Sequence, residues 1–89
     1  MVKKYNKYKC PCCDYYTFGE KPNGNYDICP VCFWEDDPIQ LENPSYEGGA
    51  NTVSLMQARR NFYMFGVCET NMIKHVRKPK KDELKGIDW

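Results

Sequence analysis

At 89 residues, with 28% charged side chains and a net charge of +1, the chain has the size of one small domain. A core of that size is modest and gains from a metal staple, and no run approaches the roughly 20 apolar residues of a membrane span. The charge is nevertheless segregated: Lys3, Lys4, Lys7 and Lys9 open the chain, Glu35, Asp36, Asp37, Glu42 and Glu47 crowd its middle, and Lys74, Arg77, Lys78, Lys80 and Lys81 come late. Such a pattern fits a solvated surface, an internal charge match, or two faces with different partners.

The opening residues Met1 to Asn6 are polar, and no apolar core of a signal peptide follows them. The expected compartment is therefore the reducing cytoplasm, where paired cysteines read as metal ligands rather than disulfides. Cys10-Pro11-Cys12-Cys13 and Cys29-Pro30-Val31-Cys32 are separated by fifteen residues. That spacing falls within the pattern of two C-x2-C half-sites closing on one ion. Each proline fixes a backbone dihedral of its turn and removes an N–H that would need a partner. Cys10, Cys13, Cys29 and Cys32 are the expected ligands, with zinc ahead of iron. Four thiolates fill a tetrahedral zinc and leave no position for a substrate, so the site reads as structural. Cys12 is left over, either as a small filler beside the metal or as a thiol available for ligand exchange. Cys68 reads as a buried apolar residue.

Between the half-sites, Asp14 to Phe18 has the aromatic and β-branched content of a strand, Gly19 to Asn25 carries the turn pair Asn23-Gly24, and Tyr26 to Ile28 reads as the returning strand. Rubredoxins usually carry glycine directly after each knuckle, where this chain has Asp14 and Phe33. After Cys32 the chain loses periodicity, and 34–53 is expected to be a long loop packing over the module through Trp34, Ile39, Leu41 and Tyr46. Ser54 and Gln57 announce a helix N-terminus, Leu55, Ala58, Phe62 and Phe65 recur at helical spacing, and Gly66 stops it. A second short helix is expected from about Thr70 to Val76, ended by Pro79. The sequence Lys81-Asp82-Glu83-Leu84 matches a retention signal only by coincidence, because that signal is read at a C-terminus.

These readings give one α+β domain over 1–89: a zinc-ribbon or rubredoxin-like hairpin at 10–33, a long loop at 34–53, a helical part at 54–78 with one or two short helices, and a tail at 79–89. The acidic group Glu35, Asp36 and Asp37 and the single histidine, His75, are the best catalytic candidates. A solvated or helix-capping role suits the carboxylates better, and a solvated one suits the histidine, so the protein is read as not an enzyme.

The two Cys-Pro-X-Cys motifs, Phe33 to Pro38, Glu47 to Asn51, and Ser54-Leu55 with Ala58-Arg59 and Asn61-Phe62 together resemble the cysteine-rich CPCC family. The resemblance runs from about Cys10 to Pro79 and implies a zinc-ribbon-like, intracellular bacterial or phage-borne protein without naming an activity. It also marks Trp34, Glu35, Asp36, Asp37, Gly48, Gly49 and Asn51 as a candidate second surface. The leading functional expectation is a non-catalytic protein-binding or adaptor module. A nucleic-acid-binding zinc ribbon, stacking bases on Trp34, Tyr15, Tyr16 or Tyr26, and an iron electron carrier are the alternatives.

Overall fold

Each cysteine pair is held in its own backbone loop, and the two loops are built alike. In the computed structural model, which describes residues 8–84, the first loop is closed by an antiparallel bridge between Tyr8 and Phe18. Inside it, Cys10 N–H donates to the Tyr15 carbonyl at 2.9 Å and Asp14 N–H to the Cys10 carbonyl at 2.9 Å. The second loop is closed by a bridge between Ile28 and Glu35. There Cys29 N–H donates to the Trp34 carbonyl at 2.9 Å and Phe33 N–H to the Cys29 carbonyl at 2.8 Å. These two inner bonds repeat residue for residue, nineteen positions apart, while the closing bridges fall at different offsets.

This arrangement differs from the hairpin expected between the half-sites. Phe18 pairs backward with Tyr8, and Ile28 pairs forward with Glu35, so the two expected strands close separate knuckles. Among the described residues the sheet content is limited to these two bridges. The reason is local: each knuckle forms its own hairpin around a metal-ligand turn, which uses up the pairing edges that a shared hairpin would need.

Helices supply the rest. α1, Pro38–Glu42, lies within the stretch expected to be loop. Asp37 caps it, accepting from the N–H groups of Ile39 and Gln40, and Pro38 takes the first helical position, where a missing N–H costs nothing. α2, Leu55–Phe65, follows the expected signals. Ser54 accepts from Gln57 N–H at 3.1 Å, and Gly66 ends the helix in the left-handed conformation at φ 80°. The second helical segment forms as a 3₁₀ helix, Thr70–His75, and a further single 3₁₀ turn spans Lys81–Glu83.

Among the described residues, half of the buried apolar ones are cysteines. The core is thus organised around sulfur, with Phe18, Val31, Trp34, Leu55, Ala58 and Val67 completing it. The chain returns to this core repeatedly: Cys68 N–H donates to the Cys32 carbonyl at 2.8 Å, and Arg77 N–H to the Pro30 carbonyl at 3.1 Å. Residues 81–83 also dock, since Tyr16 N–H donates to the Glu83 carbonyl at 2.7 Å. Glu83 is buried and takes both arms of the Arg77 guanidinium, at 2.9 and 2.8 Å. The retention-signal lookalike is therefore a structural tether. Ile87 and Trp89 lie outside the described residues, as do Lys3, Lys4 and Lys7.

Candidate metal centre

The two knuckles face one another and bring four buried sulfurs together. The ligand atoms of Cys10, Cys13, Cys29 and Cys32 all lie within 4.8 Å of each other. Across the knuckles, Cys10 Sγ is 3.6 Å from Cys32 Sγ, and Cys13 Sγ is 3.7 Å from Cys29 Sγ. A metal bound by four thiolates at about 2.3 Å sets them on tetrahedron edges of about 3.8 Å. The spacing therefore fits one ion held by four sulfurs.

Electrostatics make the same point. Four thiols in one buried cluster cannot all ionise without a cation among them. Hydrogen bonds with Cys13 and Cys29, together with burial, push Cys10 well up. Cys32 is raised by its contacts with Cys10 and Cys12. For Cys13 the bond with Cys10 pulls down, but those with Cys29 and Cys32, with burial, leave it raised. Cys29 alone is driven down, by hydrogen bonds from Cys10, Cys13 and Cys32. Burial and mutual hydrogen bonding thus push three of the thiols up and one down, and a divalent cation among them would let all four ionise.

Two further groups serve the sulfurs. The Cys12 N–H donates to Cys10 Sγ at 3.4 Å, and the buried Thr17 hydroxyl lies 3.1 Å from Cys29 Sγ. Such donors spread the negative charge of a bound thiolate and hold its rotamer. Sequence reasoning missed Thr17, because nothing in a strand-like run marks which side chain will meet a sulfur twelve residues on. Cys12 itself is buried beside the cluster. Cys68 is buried too, and desolvation pushes its thiol up to about 12, which leaves it inert at neutral pH. His75 stacks on Phe33 with ring centroids 5.3 Å apart, pinning the 3₁₀ helix to the second knuckle.

The residues marked as a second surface do come together, but largely as interior. Trp34, Asp36, Asp37 and Asn51 are buried, whereas Glu35 is half-buried and Gly48 and Gly49 are exposed. Asp36 Oδ2 accepts from the N–H groups of Asn23, Gly24 and Asn25 at 3.1, 3.0 and 3.3 Å. It fills the expected turn as that turn's own anion. Asp37 caps α1 with one oxygen, while the other accepts from Ala50 N–H at 2.7 Å. Burial opposes its charge, but the N–H groups of Ala50, Gln40 and Ile39 outweigh it and hold the carboxyl below its ordinary value. A Cβ on Gly49 would stand 2.6 Å from Asp37 Oδ2, so a larger residue there would have to displace the Asp37 carboxylate from its bonds. Asn51 acts as a short strand: Oδ1 accepts from Glu35 N–H at 2.9 Å, and Nδ2 donates to the Glu35 carbonyl at 2.8 Å. Most of these polar groups are occupied by the protein's own backbone, while Trp34 Nε1 and Asp36 Oδ1 are buried without a hydrogen-bond partner among the described residues. The bonded groups hold the segment after the second knuckle in place.

Compared with known proteins, residues 8–83 match the family model described as Cysteine-rich CPCC. No curated protein matches the chain.

Proposed function

The chain belongs to the cysteine-rich CPCC family, and from that premise we propose that it is a zinc-stapled, non-enzymatic module that binds another protein. The observation that carries this reading is the closed set of four buried sulfurs at tetrahedral-edge spacing. A four-thiolate zinc has no open position for water or substrate, so the ion acts as a staple. Of the groups best suited to acid–base work, both oxygens of Asp37 and Oδ2 of Asp36 are spent on backbone N–H groups, and Asp36 Oδ1 is buried away from solvent. Zinc-ribbon character is proposed in the same sense, for two like knuckles facing across one ion. The reading places the protein in the reducing cytoplasm of a bacterium or in a phage-infected cell, as part of a regulatory or competition system. In support, the six cysteines are all free thiols, and no helix among the described residues is long and apolar enough to cross a membrane.

Metal analysis of the purified protein with an absorption spectrum tests the staple. One zinc per chain and no visible colour are expected, and a coloured iron protein would replace this reading with the electron-carrier one. Cys29→Ser is expected to lose metal and fold together, so a folded, metal-free variant would count against it.

A nucleic-acid reading draws on one observation. On the outer face of α2, Tyr63 is 91% exposed, and Arg59, Arg60 and Met64 are exposed along the same helix. Oligonucleotide binding that weakens with salt and is lost in Tyr63→Ala would favour it. No binding at low salt removes it.

A further inference from the structure

Behind the second knuckle, the C-terminal half of α2 and the segment 73–79 enclose a groove of about 310 Å³. Val31, the residue between Pro30 and Cys32, lines it together with Tyr15, Phe62, Ile73 and Val76, and Lys78 joins them. The volume lies at the small end of ligand pockets, which run from about 300 Å³ upward. It is enough for one leucine or phenylalanine side chain rather than a cofactor.

The walls are fixed before any partner arrives. Tyr15 meets Phe62 edge to face, with ring centroids 6.1 Å apart. The segment 73–79 is anchored at three places: the stack of His75 on Phe33, the Arg77 N–H to the Pro30 carbonyl, and the fork of Arg77 on Glu83. A preformed groove spares a partner the cost of ordering it.

Its charge points to the partner's chemistry. The Arg77 guanidinium is held by Glu83 at 2.8 Å. Lys78 lines the groove itself, and Lys74, Lys80 and Lys81 are exposed on the same stretch of chain. A cationic stretch beside an apolar pocket complements carboxylates beside an apolar side chain. A nucleobase suits it less well, because its polar edge would lose water against Val31, Ile73 and Val76.

We propose that this groove receives one apolar side chain of an acidic peptide segment from a partner protein, with Lys78 facing the flanking carboxylates. The proposal rests on the protein-binding reading and adds to it a place and a chemistry.

A random linear peptide library panned against the zinc-loaded protein tests it, with the enriched peptides then measured on Ile73→Asp and Lys78→Glu. Ile73 is 52% exposed and Lys78 is exposed, and zinc content and circular dichroism verify that both variants keep the fold. The expected result is enrichment of peptides with a leucine or aromatic residue beside Asp or Glu, whose affinity falls about tenfold or more on either variant. Enriched peptides that bind both variants unchanged overturn the groove while leaving protein binding elsewhere intact. No enrichment, or enrichment without acidic residues, also overturns it. So does an oligothymidylate that binds the wild type but not Lys78→Glu while no peptide is enriched.

Discussion

Asp14 and Phe33 occupy the same place in their knuckles and share the left-handed conformation, at φ 69° and 71°. Each follows the second cysteine of its pair, and its own N–H must swing back to the carbonyl of the first cysteine. That conformation puts Cβ against the backbone and costs roughly 1–2 kcal/mol for a side chain other than glycine, with Asp among the more tolerant. The two residues repay that cost differently. Asp14 is exposed, and its side chain has no hydrogen-bond partner among the described residues. Phe33 packs against the core cluster and carries the stack of His75. Asp14→Gly is therefore expected to leave stability unchanged or raise it by up to about 1 kcal/mol, with relief of strain partly offset by the freer unfolded chain. Phe33→Gly relieves the same strain but deletes a half-buried ring, so a net loss of about 2–4 kcal/mol is expected. Denaturant unfolding of the zinc-loaded variants checks the pair, and equal effects at the two sites would dismiss the argument.

At the level of elements, the five residues of α1 are too few to hold a helix by themselves. What secures α1 is Gln40, fully buried, which bonds the loop from both ends of its amide. Nε2 donates to the carbonyls of Tyr46, Asn51 and Val53 at 3.1, 3.1 and 3.0 Å. Oε1 accepts from Asn51 N–H at 3.1 Å and from Asn51 Nδ2 at 2.9 Å. Gln40→Leu keeps the volume but strands these groups at about 1–3 kcal/mol for each one left unpaired. We expect a marked fall in Tm, with amide exchange quickening across residues 43–53 while α2 keeps its protection. Unchanged exchange in that loop would show that something else holds it. The same contrast explains what the sequence made legible. α2 was readable because its cap, stripe and stop are all local: Ser54, Leu55 with Ala58, and Gly66. The metal ligands were readable because their spacing is itself the signal. α1 carried a local sign, Asp37 before Pro38, but too few residues to show a period. The inward turn of Asp36 and Asn51, and the second bond of Asp37, had no local sign. Their partners, Asn23 to Asn25, Ala50 and Glu35, lie eleven to sixteen residues away, and an acidic residue paired with backbone N–H groups looks in sequence like one facing water. Pairing of Phe18 with Tyr8 and of Ile28 with Glu35, rather than with each other, was hidden for the same reason, since strand propensity does not name a partner.

For the molecule as a whole, fold and metal are expected to be one equilibrium. The sulfurs meet at the centre of the core, and structural zinc contributes about 10–16 kcal/mol of apparent binding energy in small zinc domains. That matches or exceeds the roughly 5–15 kcal/mol of a whole domain's stability. A strong chelator should therefore abolish the thermal transition rather than merely lower it. Acid should do the same, and the proton count gives the sign and the steepness. In the zinc-loaded protein the four thiolates bind no protons, whereas the unfolded cysteines, with ordinary values near 8.5, bind about one each below neutral pH. The unfolded state takes up more protons, so stability falls as pH falls, by about 1.4 kcal/mol per pH unit for each proton. Asp37 and Glu83 act in the same direction. Backbone N–H groups outweigh burial to hold Asp37 low, and the Arg77 fork holds Glu83 low. The stability they add is present above their unfolded values, about 3.9 and 4.3, and is lost as pH drops through the lower folded ones. Each of them contributes at most one proton against four from the cysteines. Acid unfolding should thus be steep, should coincide with zinc release, and should begin at a pH above the range where the two carboxylates titrate. Circular dichroism and a zinc-sensitive dye read the two processes in one titration. Zinc leaving a chain that keeps its ellipticity would break the equivalence of metal and fold. A shallow one-proton transition in the carboxylate range would move the acid sensitivity from the cysteines to Asp37 and Glu83.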